Sequence, residues 1–172
     1  MIVWLIGLSG VGKSTIGKEL YKLWKKDSKP TVIIDGDEIR KIFKHNVGDD
    51  PYSIEGRKIN AERISNLCLW LDKQEINVVC CILSVFKESR KWNRENYSKY
   101  IEVYLHASDE ILTSRRDLYN QAKKGIIKNV VGFDIKFDTP SDSDLSFNTG
   151  LNCESPKTIA DKIYQKVQDL TK

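Results

Sequence analysis

The chain has 172 residues, of which 40% are hydrophobic and 30% charged, and its formal net charge is +4. This composition is typical of a folded domain of ordinary size and excludes a disordered chain. The mild positive charge suits an anionic small molecule but is too weak to indicate a nucleic-acid partner. We therefore expect a single domain over residues 1–172, with no nucleic acid among its partners.

The first apolar run follows Met1 directly, with no basic region or cleavage site, and no apolar run has the length that spans a bilayer. The four cysteines, Cys68, Cys80, Cys81 and Cys153, lack metal-ligand spacing. Two adjacent cysteines on a strand would point to opposite faces, so we expect all four to be small core residues in a reducing compartment. These observations predict a cytoplasmic protein with no membrane partner.

A strand, a glycine-rich loop and a helix follow one another at the start of the chain. The apolar residues 2–6 lead into Gly7-Leu8-Ser9-Gly10-Val11-Gly12-Lys13-Ser14-Thr15, which fits the phosphate-binding pattern Gly-x4-Gly-Lys-Ser/Thr. Helical periodicity runs on from Lys13 to Lys25. Glycines let backbone amides turn towards phosphate oxygens, and a helix N-terminus adds partial positive charge.

The side chains of this loop suggest how it would use a nucleotide. Lys13 would reach the outer phosphates, and the hydroxyl of Ser14 would bind Mg²⁺. We therefore predict ATP and Mg²⁺ as ligands. The predicted ATP-binding residues of the loop are Gly10, Gly12, Lys13, Ser14 and Thr15.

Acidic residues follow the second predicted strand, residues 31–34, in the sequence Asp35-Gly36-Asp37. The carboxyl end of a strand beside a phosphate loop is where open α/β sheets place their ligands. The alternative is an Asp-Gly turn in which Asp37 only caps the next helix. The third predicted strand, residues 77–83, has no terminal Asp. Asp35 or Asp37 must therefore supply any acidic function, and Asp35 joins Ser14 as a predicted metal ligand.

After a turn-rich stretch at residues 44–51, a long helix is predicted over residues 53–73. Its first turns carry Arg57, Asn60 and Arg63 at spacings that place them near one face, although solvated surface charge is the usual interpretation. The remaining elements are a basic helix with Arg90 and Arg94, a fourth strand at 101–105, a short helix at 109–114, a brief strand at 145–147, and a last helix from Pro156.

The segment from about residue 115 to 140 has the character of a lid. Residues 115–128 carry five basic residues against one acidic residue, and residues 129–148 show little regular pattern. Such a long, irregular segment in a compact domain is often functional, although a floppy connection is the alternative. The alternation of strands and helices around it predicts an α/β P-loop kinase fold, with a parallel sheet flanked by helices on both faces.

Together, these motifs resemble the adenylylsulfate (APS) kinase family over about residues 2–150. The phosphate loop is similar to that of the family, and Asp35-Gly36-Asp37 with Arg40 resembles its Asp-Gly-Asp-x-x-Arg motif. Further similar segments are Tyr52-Ser53-Ile54-Glu55-Gly56-Arg57 with Asn60 and Arg63, Leu83-Ser84-Val85-Phe86, and Leu118-Tyr119 with Ala122, Gly125, Ile127, Lys128 and Gly132. The resemblance implies an ATP-dependent enzyme that phosphorylates the ribose 3′-hydroxyl of a nucleotide.

The resemblance also implies residue roles. Asp37 would orient or deprotonate the attacking hydroxyl and, with Lys13, form the catalytic pair. Forked guanidinium groups suit phosphate and sulfate oxygens, and Arg115 would contact ATP. The acceptor-binding residues implied by the resemblance are Asp37, Arg40, Tyr52, Arg57, Asn60, Ser84, Arg116 and Val130. Members of the family are commonly dimers, which implies a possible homodimer.

One departure from the family bears on the acceptor base. The Gly-Phe-Thr-Gly segment of the family reads Asn129-Val130-Val131-Gly132 here. In the family that Phe stacks on adenine, opposite the aromatic residue at the position of Tyr52. Losing one stacking partner removes roughly 1–3 kcal/mol per base, which disfavours adenine. A related kinase branch that phosphorylates cytidine diphosphoramidate for capsule synthesis fits better, so we place that acceptor ahead of APS.

Three other functions are left open by the sequence. The first is an adenylylsulfate kinase proper. The second is another small P-loop kinase, for example for shikimate or gluconate, which would not need Arg57 and Asn60 on one helix. The third is a nucleotide-binding module without catalysis, although the joint presence of Lys13, Ser14 and Asp37 argues against it.

Overall fold

The computed structural model describes residues 1–27, 30–44 and 51–171. Most of the predicted turn-rich stretch at 44–51 lies outside these ranges. In chain order the elements are β1 (Ile2–Ile6), α1 (Lys13–Trp24), β2 (Thr31–Asp35), α2 (Gly36–Ile42), α3 (Ile54–Lys73), β3 (Asn77–Cys81), α4 (Lys87–Asn96), β4 (Tyr100–His106), α5 (Asp109–Arg115), α6 (Leu118–Lys123), β5 (Leu145–Asn148) and α7 (Pro156–Thr171).

The strands form one parallel sheet in the order β2-β3-β1-β4-β5. β1 lies at the centre, where Leu5 is in register with Cys81 of β3 and with Val103 of β4. A central parallel strand is covered on both faces and is therefore apolar throughout, as β1 is. The predicted parallel sheet is confirmed.

Successive side chains of β1 enter two different cores. Val3 and Leu5 pack with apolar residues of α1 and α7, whereas Trp4 and Ile6 pack with residues of α3 on the other face. This division follows from the alternation of side chains along a strand. The predicted placement of helices on both faces is therefore confirmed.

The cysteines divide in the same way, with one exception to the prediction. Cys80 belongs to the core on the α3 face and Cys81 to the core on the α1 face, as the alternation requires. Cys68 is buried on α3, but Cys153 is exposed before α7. The prediction of four core cysteines is wrong for Cys153, because it lies in the loop between β5 and α7 rather than on an element with a buried face.

The element bounds differ from the predicted ones by small amounts. β3 ends at Cys81 rather than at residue 83, and Ser53 lies just outside α3, where its hydroxyl accepts the amide of Gly56. Ser155 Oγ likewise accepts the amide of Thr158 at the start of α7. Within the described ranges, none of the helices combines the length and apolar character needed to cross a membrane.

Candidate active site

A cavity of about 870 Å³ opens at the carboxyl ends of β1, β2 and β3. The phosphate loop, the start of α2 and the segment after α5 all contribute to its wall. The predicted site residues that line it are Gly10, Gly12, Lys13, Ser14, Thr15, Asp35, Asp37, Arg40, Tyr52, Arg57, Arg115, Arg116 and Val130. Most of the predicted site is thus brought to one cavity.

The phosphate loop folds back on its own lysine. Gly10 and Gly12 have φ values of 90° and 92°, a left-handed conformation that favours glycine. The ammonium group of Lys13 donates to the carbonyls of Gly7 at 2.8 Å and Leu8 at 2.9 Å. Burial lowers the pKa of Lys13 from the usual 10.5 to about 8. The loop therefore presents a desolvated cation to the cavity.

Ser14 and Asp35 bring two hard oxygen ligands together. The Ser14 hydroxyl donates to Oδ2 of Asp35 at 2.5 Å. The other carboxylate oxygen of Asp35 accepts the amide of Asp37 at 3.0 Å and so caps α2. The alternative in which Asp37 caps that helix is wrong, because Asp35 occupies the capping position. The carboxylate of Asp37 is left to project from the first turn.

The donor set at Ser14 and Asp35 fits Mg²⁺. A hydroxyl and a carboxylate are the oxygen ligands this ion prefers, and it usually completes its shell with water and substrate phosphates. Among the residues that the structure describes, no group of three or more His, Cys, Asp or Glu side chains could hold a metal by itself. The site therefore suits a metal that binds together with a nucleotide.

Two guanidinium groups lie against one aromatic ring. Arg40 lies 5.1 Å and Arg57 5.5 Å from the centroid of the Tyr52 ring, within cation–π range. Arg40 Nη1 also donates to Oδ1 of Asp37 at 2.9 Å. This arrangement collects positive charge beside an exposed carboxylate.

Arg57 connects α3 to the predicted lid. Its Nε donates to the carbonyl of Tyr52 and its Nη2 to the carbonyl of Asn129, each at 2.8 Å. Val130, next in sequence, is only 7% exposed and packs with the core on the α1 face while lining the cavity. The lid segment thus reaches the cavity wall.

Arg115 joins the phosphate loop to the end of the sheet. Its Nη1 donates to the carbonyl of Gly10 at 3.3 Å and its Nη2 to the carbonyl of Thr149 at 2.7 Å. The hydroxyl of Tyr119 donates to the carbonyl of Ser9 at 3.0 Å. The start of the lid segment is therefore hydrogen-bonded directly to the phosphate loop.

Asn60 and Ser84 do not line this cavity. Both are buried, and their side-chain polar atoms have no hydrogen-bond partner among the described residues. Ser84 has φ 56°, and its carbonyl accepts from Nη1 of Arg90 at 3.3 Å. The predicted acceptor contacts of Asn60 and Ser84 therefore remain predictions.

The cavity wall also includes residues that sequence reasoning did not assign to the site, among them Cys81 and Lys128. Lys128 is the last residue of the basic stretch 115–128, and this position could have identified it as a residue of the site. Cys81 closes β3, and its thiol donates to the carbonyl of Lys13 at 3.4 Å. Burial raises the pKa of Cys81 to about 12, so this thiol is a packing group rather than a nucleophile.

Comparison with known proteins agrees with this geometry. Residues 1–148 match the family described as adenylylsulphate kinase. The chain is 37% identical over 149 residues to cytidine diphosphoramidate kinase of Campylobacter jejuni subsp. jejuni serotype O:2, covering 86% of this chain and 85% of that protein. It is 29% identical over 169 residues to adenylyl-sulfate kinase of Halothermothrix orenii, covering 97% and 89%.

The fold is also similar to that of a solved enzyme. The APS kinase of Mycobacterium tuberculosis in complex with AMPPNP and APS superposes with a TM-score of 0.84 at 25% identity. The similarity covers 97% of this chain and 96% of that one. That structure therefore holds an ATP analogue, AMPPNP, together with APS.

Proposed function

The chain belongs to the adenylylsulphate kinase family, a group of ATP-dependent nucleotide kinases, and we propose that its acceptor is cytidine diphosphoramidate. The reaction would transfer the γ-phosphoryl group of ATP to the ribose 3′-hydroxyl. The observation that carries the choice of acceptor is Val130, an aliphatic side chain at the cavity wall where the family resemblance implies a stacking Phe. The 37% identity to a cytidine diphosphoramidate kinase supports it.

On the donor side, the phosphate loop would hold ATP. Its backbone amides and the Lys13 ammonium would bind the β- and γ-phosphates, which favours the charged form of Lys13. Ser14 and Asp35 would hold Mg²⁺, which would neutralise the negative charge of the phosphates. These roles fit residues that already meet at the cavity.

On the acceptor side, Asp37 would orient the ribose 3′-hydroxyl and accept its proton as the oxygen attacks the γ-phosphorus. One O–P bond forms and the bond to the bridging oxygen of ADP breaks. Arg40, whose Nη1 lies 2.9 Å from Asp37 Oδ1, would hold that carboxylate in place. Arg40, Arg57 and Arg116 would bind the anionic groups of the acceptor.

An acceptor panel tests this proposal. Purified protein with Mg-ATP is offered cytidine diphosphoramidate, CDP and APS, and the 3′-phosphorylated product is identified by mass spectrometry and ³¹P NMR. We expect the highest kcat/KM for cytidine diphosphoramidate. A higher kcat/KM for APS would contradict the acceptor assignment and leave the kinase assignment intact.

APS is the second candidate acceptor, because the chain is also 29% identical to an adenylyl-sulfate kinase. A nucleotide-binding module without catalysis is the third candidate function. The same panel distinguishes it, since that module would bind ATP without releasing ADP in the presence of any acceptor.

The pathway, the cellular location and the oligomeric state of the protein are part of the same proposal. A cytidine diphosphoramidate 3′-kinase would act in capsule polysaccharide synthesis, in the cytoplasm where ATP is available. The homodimer implied by the family resemblance is also proposed, and light scattering on the purified protein would test it.

A further inference from the structure

The lid segment contains a tight turn over residues 129–135 that closes around one carbonyl. The oxygen of Val130 accepts the amides of Phe133, Asp134 and Ile135 at 3.1–3.2 Å. The amide of Gly132 donates back to the carbonyl of Ile135 at 2.8 Å. The carbonyl of Val130, the residue at the cavity wall, is therefore the main hydrogen-bond acceptor within this turn.

The carboxylate of Asp134 closes the other side of this turn. Its Oδ2 accepts the amide of Asn129 at 2.7 Å, and its Oδ1 accepts the amide of Val130. Asn129 has φ 64°, a left-handed conformation that a non-glycine residue adopts at a cost. Hydrogen bonds to an ionised carboxylate are stronger than neutral ones, so Asp134 stabilises this strained backbone.

The peptide groups that Asp134 holds also face the site. The carbonyl of Asn129 accepts Nη2 of Arg57 at 2.8 Å, and Arg57 lies against the Tyr52 ring. On the opposite side, a Cβ on Gly132 would lie 3.0 Å from Leu8 of the phosphate loop. One turn thus contacts residues on both the proposed acceptor side and the proposed donor side.

We propose that Asp134 is a positioning residue for acceptor recognition. By fixing the amides of Asn129 and Val130, it places the Val130 side chain at the cavity wall and directs the Asn129 carbonyl to Arg57. Asp134 does not line the cavity itself, so it acts through these neighbours. The expected effect of Asp134 on acceptor binding rests on the proposed function, whereas its expected effect on the turn does not.

The turn itself is tested in the protein without nucleotide. Hydrogen exchange followed by NMR reports the amides of Asn129 and Val130 in wild type, Asp134→Ala and Asp134→Asn. We expect exchange at least about tenfold faster in Asp134→Ala, since each amide loses a hydrogen bond to a charged group. Asp134→Asn retains one oxygen that accepts one amide, and we expect an intermediate rate.

The kinetic arm uses cytidine diphosphoramidate, with APS as the second acceptor. We expect Asp134→Ala to raise the acceptor KM at least about tenfold while the ATP KM changes less than about twofold, and Asp134→Asn to lie between. The matched control is Asp138→Ala, because Asp138 lies in the same segment and pairs with the side chain of Lys136 at the surface. We expect this control to be kinetically silent.

The two arms separate the possible failures. Unchanged amide exchange in Asp134→Ala overturns the inference whatever the enzyme phosphorylates. An unchanged acceptor KM, or an equal rise in both KM values, also overturns it. Wild-type protein that phosphorylates neither acceptor contradicts the proposed function instead, and the exchange experiment still decides the role of Asp134 in the turn.

Discussion

The guanidinium of Arg40 donates to Asp37 across 2.9 Å, and the side chain of Arg40 is only 11% exposed whereas that of Asp37 is 74% exposed. A nearly buried cation therefore holds a carboxylate that projects into the cavity. We expect both Asp37→Asn and Asp37→Ala to lower kcat by about 10²–10⁴, the range for loss of a general base. ATP binding, measured by calorimetry, should persist.

The neighbouring carboxylate of Glu38 offers a matched control for this experiment. It is exposed and pairs with Lys41 on the outer side of the same helical turn. Glu38→Gln should leave kcat unchanged. Near-normal turnover in both Asp37 variants would remove Asp37 from the proposed role.

The lowered pKa of the partly buried Lys13 ammonium predicts that the stability of the protein depends on pH. Because its folded pKa is about 8 and its usual value 10.5, the unfolded chain binds more protons between these values. The unfolding free energy of the nucleotide-free protein should therefore rise with pH, by about 2 kcal/mol from pH 8 to pH 10 for this group. Urea unfolding of wild type and Lys13→Met at both pH values isolates the effect as a difference between the two proteins. A rise of the same size in Lys13→Met would show that other groups cause it.

Val130 offers a test of base selection at the cavity wall. Val130→Phe would restore an aromatic partner for a purine, and stacking contributes roughly 1–3 kcal/mol per base. We expect the ratio of kcat/KM for APS to that for cytidine diphosphoramidate to rise about tenfold or more. Ile126→Phe, at a 66% exposed position of the same segment, is the control. A ratio that stays at the wild-type value in Val130→Phe would mean that this position does not select the base.

The two backbone contacts of Arg115 predict a structural effect on the phosphate loop. Arg115→Lys keeps the charge but loses the fork that reaches both Gly10 and Thr149, so at least one carbonyl loses its donor. We expect a loss of about 1–2 kcal/mol in unfolding free energy and a raised KM for ATP. Lys123→Ala, on the exposed side of α6, should change neither. If the Arg115→Lys protein were as stable as wild type, these two hydrogen bonds would not contribute to the unfolding free energy.

Local pattern was sufficient for the sheet and the phosphate loop, whereas the family resemblance implied the acceptor side of the cavity wall. Strand β1 is apolar throughout and is followed by a glycine-rich loop, so its central position and the phosphate loop follow from short-range signals. The family resemblance implied that Asp37 and Arg40 share the acceptor site, and their i, i+3 spacing on α2 lets them pair.

Other features depended on contacts distant in sequence. Arg115, whose contact with ATP stays a prediction, lines the cavity and also donates to Thr149, a residue 34 positions later. Ser84 carries a motif resemblance but does not line the cavity, whereas the preceding residue, Leu83, does. Asp134 gave no signal, since its partners are the amides of a turn whose conformation no periodicity encodes.

The central position of β1 has a consequence for how the protein is made. This strand and its phosphate loop are synthesised before the two strands that flank β1, which begin at Asn77 and Tyr100. Such long-range parallel pairing closes large loops and is slow. A nascent chain that ends before Tyr100 therefore carries the nucleotide-binding signature without both strands that flank β1, and the ability to hold ATP should emerge only after β4 has been synthesised.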